Sequence, residues 1–103
     1  MDITIIQTLC AEGSIRWTNH ILVRLLQRGI AIKDIKHAIL CGKIIEEYPN
    51  DYPHPSCLIL GISIKEQYIH IVCGIADNEL WLITAYYPNP EEWSSAFNKR
   101  RRK

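Results

Sequence analysis

A chain of 103 residues is long enough for one folded domain and too short for two, and its 48% hydrophobic content can bury a core without covalent cross-links. The formal net charge of +1 hides a polarised distribution: residues 1–43 carry six Lys/Arg against three Asp/Glu, residues 44–98 carry one against eight, and residues 99–103 add five positive charges. With no charged-then-apolar leader, no apolar run near the roughly 20 residues that span a bilayer, and no Cys-x-x-Cys pair, a cytoplasmic domain without membrane span, zinc site or disulfide framework is expected.

Asp2 can cap a helix through Ile3, Ile6, Leu9 and Cys10, with Gly13 suited to the left-handed position that follows. A second helix is predicted from Thr18, its N-cap, to Gly29. Ile21, Leu22, Leu25 and Leu26 fill one arc of it as a core face, and His20, Arg24, Gln27 and Arg28 fall together on another. Ile30 and Ile32 lead into a third helix, in which Ile35, Ala38 and Ile39 recur at helical spacing before Gly42 ends it.

From Lys43 the period changes. Residues 44–48 read as a strand, closed by the turn-forming run from Pro49 to Pro55, whose prolines each remove a backbone donor. Three further strands are predicted over residues 57–64, 67–76 and 79–87, joined by connections short enough to require antiparallel neighbours. After Pro88-Asn89-Pro90, Glu91 and Glu92 can start a last helical turn, with Trp93 and Phe97 four apart and able to pack back on the body. Residues 1–98 form the expected single domain, and Lys99 to Lys103 read as a solvated basic tail.

The facing of the last two strands depends on their turn. A two-residue loop at Asp77-Asn78 sets His70 opposite Ala85, whereas a three-residue loop that includes Glu79 sets His70 opposite Tyr86 and Val72 opposite Thr84. The second is preferred. It gathers Ile69, Ile71, Cys73, Ile75, Trp81, Ile83 and Ala85 on an apolar face and leaves His70, Thr84 and Tyr86 on a more polar one.

There is no Gly-rich phosphate loop, no His-Glu-x-x-His helix and no Gly-x-Ser-x-Gly elbow. What remains is two histidines on different elements, arginines at helical spacing and hydroxyls on the last strand. That set suits RNA cleavage without a metal, which needs a base for the 2′-hydroxyl proton, an acid for the leaving 5′-oxygen, and cations for the charge growing on phosphate. His20 and His70 can serve as the acid and base near neutral pH, and Arg24 and Arg28 can grip phosphate. Thr84 and Tyr86 can orient it or replace one proton-transfer group. The plainer readings stand beside these: the basic arc as a solvated helix face, and His70 as a satisfied, partly buried strand residue. Tyr48 and Tyr52 can stack on a base.

The run Ile15-Arg16-Trp17-Thr18-Asn19-His20, then Arg24, Gln27-Arg28-Gly29-Ile30, Asp34-Ile35, Gly42, Ile44-Ile45-Glu46-Glu47-Tyr48-Pro49, Pro55-Ser56-Cys57-Leu58, His70-Ile71-Val72 and Ile83-Thr84-Ala85-Tyr86, with Pro88 and Trp93, resembles a family of small bacterial proteins. That family is catalogued as a domain of unknown function and is grouped with the barnase, colicin and RelE ribonuclease folds. The resemblance implies an α+β fold with two to three N-terminal helices against a twisted four-stranded antiparallel sheet. It also implies, for many members, a ribonuclease toxin with a neighbouring antitoxin. By position, the polar motif residues are His20, Arg24, Arg28, His70, Thr84 and Tyr86. The expected function is a toxin-like endoribonuclease that needs no cofactor and leaves a 2′,3′-cyclic phosphate, with RNA and an antitoxin as partners. The rival expectation is a non-catalytic domain that binds nucleic acid or protein.

Overall fold

The computed structural model describes residues 1–101. Its elements run α1 (Ile3–Glu12), β1 (Ile15–Arg16), α2 (Asn19–Arg28), α3 (Ile32–Cys41), β2 (Lys43–Tyr48), β3 (Ser56–Ile62), β4 (Tyr68–Ala76) and β5 (Glu79–Tyr86). The helix boundaries follow from local chemistry. Asp2 accepts from the Thr4 amide and Thr18 from the Ile21 amide, while Gly13 and Gly29 adopt the left-handed conformation at the ends of α1 and α2.

The sheet is α+β in class as expected but differs in composition. It has five strands in the order β1-β5-β4-β3-β2, and the two-residue β1 pairs with β5 in parallel, so it is mixed rather than four-stranded antiparallel. β1 is too short to carry a periodic signal. Its pairing rests on Ile15 opposite Leu80, on the Ser14 carbonyl accepting from the Leu80 amide, and on Arg16 reaching Glu79.

The predicted pairing of β4 with β5 is present, by a different device. Ala76 pairs with Glu79 across a two-residue turn in which Asp77 and Asn78 both have positive φ, the geometry of a type I′ hairpin. The register then slips by one at Ile83: Cys73 faces Leu82 but Val72 faces Thr84 and His70 faces Tyr86. This bulge, not a longer loop, sets the polar row. As a result Leu80 and Leu82 join Ala85 in the core, while Ile83 is exposed and Trp81 turns to the other face, correcting their expected membership of the apolar face.

All three helices lie on one face of the sheet, where Ile6, Cys10, Ile21, Leu25, Ile35 and Ile39 pack against Ile59, Ile69, Ile71, Leu80 and Leu82. Each fully buried aliphatic side chain there contributes about 1.5–3 kcal/mol. Gly61 permits the closest helix approach, since a Cβ on it would lie 2.1 Å from the Ala38 carbonyl oxygen. The opposite face is covered by the chain after β5. That segment holds one turn where a last helical turn was expected, with the Glu92 and Trp93 amides bonded to the Asn89 carbonyl, and then a bridge between Trp93 and Arg100. In the basic end, read as a solvated tail, Arg100 and Arg101 are bonded to the body, and Arg102 and Lys103 lie outside the described residues.

Candidate functional site

Two bulges turn polar side chains onto the helix-free face. The slip at Ile83 puts Thr84 and Tyr86 there, and a matching slip at Ile45 does the same for Glu46 and Tyr48, so that a row runs Glu46, Leu58, Val72, Thr84 across the sheet. A second row runs Leu60, His70, Tyr86. Trp93, 2% exposed, lands on this second row with its indole edge-on to His70 at 4.4 Å.

His70 is 0% exposed and both ring nitrogens are engaged. Nε2 lies 2.8 Å from the Phe97 carbonyl oxygen, so it carries the proton and donates; Nδ1, 3.4 Å from the Tyr86 hydroxyl, is then the acceptor. This is the neutral tautomer. Burial holds the imidazole below its ordinary pKa, against the Phe97 carbonyl and the Glu46 carboxylate, which favour the cation. Burial also pushes the Tyr86 phenol up.

The segment over His70 is fastened at its far end. Arg100 donates from Nε and Nη2 to the two oxygens of Glu46 at 2.9 and 3.1 Å, and its guanidinium lies 4.7 Å from the Trp93 ring centroid. Tyr48 donates to Glu46 at 2.6 Å, and burial together with that carboxylate raises its phenol to about 12. Burial opposes ionisation of Glu46, yet the bonds from Arg100 and Tyr48 outweigh it and hold the carboxyl below its ordinary value.

Of the six predicted site residues, four come together. Arg28 Nη1 donates to Thr84 Oγ1 at 3.1 Å and to the Ala85 carbonyl at 2.7 Å, on the edge of β5 opposite β4 that the short β1 does not reach; Thr84 and Tyr86 share a face, and Tyr86 meets His70. His20 and Arg24 do not join them. They are exposed on α2, and eight residues of helical rise separate His20 from Arg28 by roughly 12 Å along the axis. His20 is exposed on a helix of one sheet face and His70 is buried under Phe97 and Trp93 on the other, so the two histidines do not face each other across a cleft.

The helix that carries these residues departs from its predicted burial. Ile21 and Leu25 are buried, but Leu26 is 83% exposed, and Val23 and Leu22 are exposed beside it. At about 100° per residue, α2 has three arcs: a buried one, an apolar exposed one of roughly 100° from Leu22 through Leu26 to Val23, and the basic one. The sequence did carry this signal. The apolar arc from Ile21 to Val23 is wider than one packing surface can cover, and Val23 lies at its outer end. Trp93 was expected to pack back on the body, but the pairing of Arg100 with Glu46 that fastens it had no such local sign, because those two meet across 54 positions of chain.

No helix among the described residues is long and apolar enough to cross a membrane. A family model described as Domain of unknown function (DUF4258) matches residues 17–87, from the start of α2 through β5, leaving α1 and the covering segment outside the match. No curated protein and no solved structure matches the chain.

Proposed function

Starting from the fact that the chain belongs to the family described as Domain of unknown function (DUF4258), we propose that it is a protein-interaction domain that docks an acidic partner on the outer surface of α2. The observation that carries this reading is Leu26, 83% exposed at the centre of an apolar triangle with Leu22 and Val23. A contiguous apolar patch rimmed by charge is the usual mark of a protein contact. The rim here carries the exposed Arg24 guanidinium, with the exposed His20 ring alongside, so it complements carboxylates and repels a second copy of itself.

A photo-crosslinking amino acid at Leu26 tests the proposal in living bacteria, with the same group at exposed Lys33 as control. The expected result is one defined protein adduct from position 26, absent at position 33, whose purified component rebinds the wild-type domain and loses affinity for Arg24→Glu. An adduct with a second copy of the chain, or none, would overturn it.

The row Arg28, Thr84, Tyr86 and His70 favours a second reading, in which the domain cleaves RNA as the resemblance to barnase, colicin and RelE folds implies. Arg28 would hold phosphate through the N–H groups it does not spend on β5, and Tyr86 and His70 would exchange protons with the 2′-hydroxyl and the leaving oxygen. Since His70 is sealed, this chemistry requires residues 88–101 to move aside. On this reading the acidic partner is an antitoxin. Induction of wild type, Tyr86→Phe and His20→Ala in bacteria, with total RNA followed, separates the cases. Breakdown by wild type and His20→Ala but not by Tyr86→Phe supports cleavage at the row, and intact RNA throughout removes it.

A further inference from the structure

A pocket of 330 Å³ lies on the helix-free face away from His70, between the loop Asp51–Pro55 and the strand residues Gly74, Ile75, Ala76, Trp81 and Ile83. The sheet bulge and a glycine together make it. The slip at Ile83 delivers Trp81 and Ile83 to this side, and Gly74 lets the loop backbone close over the sheet, since a Cβ there would meet the Pro55 carbonyl oxygen at 2.7 Å.

Its walls are aromatic. The Trp81 indole is fixed by its N–H donating to the Ala76 carbonyl at 3.1 Å and by the Arg16 guanidinium 4.9 Å from its centroid. His54 stands edge-on to it at 6.2 Å, and Tyr52 is 93% exposed at the rim with no ring packed on it among the described residues. Tyr52 and the pinned indole line the same pocket, so both rings are available to stack on a ligand there.

One carboxylate sets the polarity of the pocket. Asp51, an exposed residue that lines the pocket, accepts at Oδ2 from the buried Ser56 hydroxyl at 2.6 Å, which fixes the carboxylate and leaves Oδ1 open to solvent or a ligand. An oriented acceptor beside stacking surfaces selects a flat ring that offers N–H groups at its edge and rejects one that offers oxygens alone.

We infer that the pocket formed by Tyr52, His54, Trp81 and Asp51 binds a single nucleobase, guanine foremost, whose ring N–H and amino group face Asp51 while its plane stacks on the aromatic side chains. A pocket of this size with few polar groups is of the kind that holds a small ligand. The site does not depend on partner docking at α2, which lies on the other side of the sheet, so each can fail alone.

Titration of the full chain with the guanosine, adenosine, cytidine and uridine monophosphates, followed by protein NMR, tests it. The expected result is saturable binding with guanosine monophosphate tightest and uridine monophosphate weakest, and shifts confined to residues 51–55 and 74–83. Tyr52→Ala, at a side chain that supports no packing, weakens binding roughly tenfold, the size of one lost stacking contact, and Asp51→Asn reduces the guanine preference by a similar factor. Lys33→Gln, at an exposed position of α3 outside both surfaces, leaves both unchanged. A single-stranded RNA trinucleotide with one guanine that binds more tightly than the monophosphate assigns the base to a strand, and equal or weaker binding assigns it to a free nucleotide. No saturable binding of any of the four, an Asp51→Asn variant with unaltered preference, or tighter binding of N-acetylphenylalaninamide than of guanosine monophosphate overturns the inference.

Discussion

The indole of Trp93 stands edge-on to the imidazole of His70 at 4.4 Å and closes the middle of a sheet face that no helix covers. This contact fastens the chain end to the sheet and removes His70 from solvent at once. Trp93→Ala is therefore expected to cost about 3–5 kcal/mol in urea unfolding. Trp93→Phe, which keeps an aromatic edge on His70, is expected to lose about half as much or less. Equal losses would show that bulk burial alone, rather than the ring contact, holds the segment.

The same histidine gives stability a pH dependence. Because burial depresses its folded pKa below 6.5, the unfolded chain binds more protons than the native one from about pH 6.5 downwards. Its contribution is complete above that pH and is lost as pH falls through the depressed value. Glu46, held below its ordinary 4.5, acts in the same direction but in a lower window. Urea midpoints are expected to drop between about pH 7.5 and about pH 5.5. His70→Gln should flatten that step, and Glu46→Gln, which removes a carboxylate that favours the His70 cation, should keep or deepen it.

Leu25 and Leu26 are neighbours in sequence with opposite fates, buried and 83% exposed. Leu25→Ala is expected to cost about 2–5 kcal/mol, and Leu26→Gln to stay within about 0.5 kcal/mol of wild type. Thermal unfolding of the two variants checks this. A large loss for Leu26→Gln would mean that its side chain is covered in solution.

Gly61 is predicted to be irreplaceable for a steric reason rather than a conformational one. An alanine methyl would sit 2.1 Å from the Ala38 carbonyl oxygen, both sides of the contact being backbone, so α3 must lift from β3. The expected loss is about 1–3 kcal/mol, with matching shifts in the amide resonances of α3. A variant as stable as wild type would place α3 farther from β3 than the structure has it.

Local grammar made much of this fold readable. Asp2, Thr18, Gly13 and Gly29 mark two helices through bonds and dihedrals that involve neighbours within a few residues, and alternation in β4 assigned His70 to the face opposite Ile69 and Ile71. The facing of His70 with Tyr86 was expected for the wrong reason. A bulge at Ile83 and a longer loop at Glu79 give the same register there and differ at Trp81, and nothing in the residues themselves distinguishes them.

By itself the sequence determined the three helices and the four longer strands, because each depends on periodicity or on contacts between near neighbours, whereas the grouping of His70, Thr84 and Tyr86 rests on the bulge at Ile83. The tertiary structure alone decided that β1 joins β5, that His20 stays apart from His70, and that Trp93 seals one face under a clamp between Arg100 and Glu46, 54 positions away. It also decided which side of the wide apolar arc of α2 is buried, Ile21 and Leu25, and which is left exposed, Leu22, Leu26 and Val23. Those outcomes depend on which surfaces meet once distant segments are brought together, and the strength of such a meeting belongs to neither segment until the other arrives.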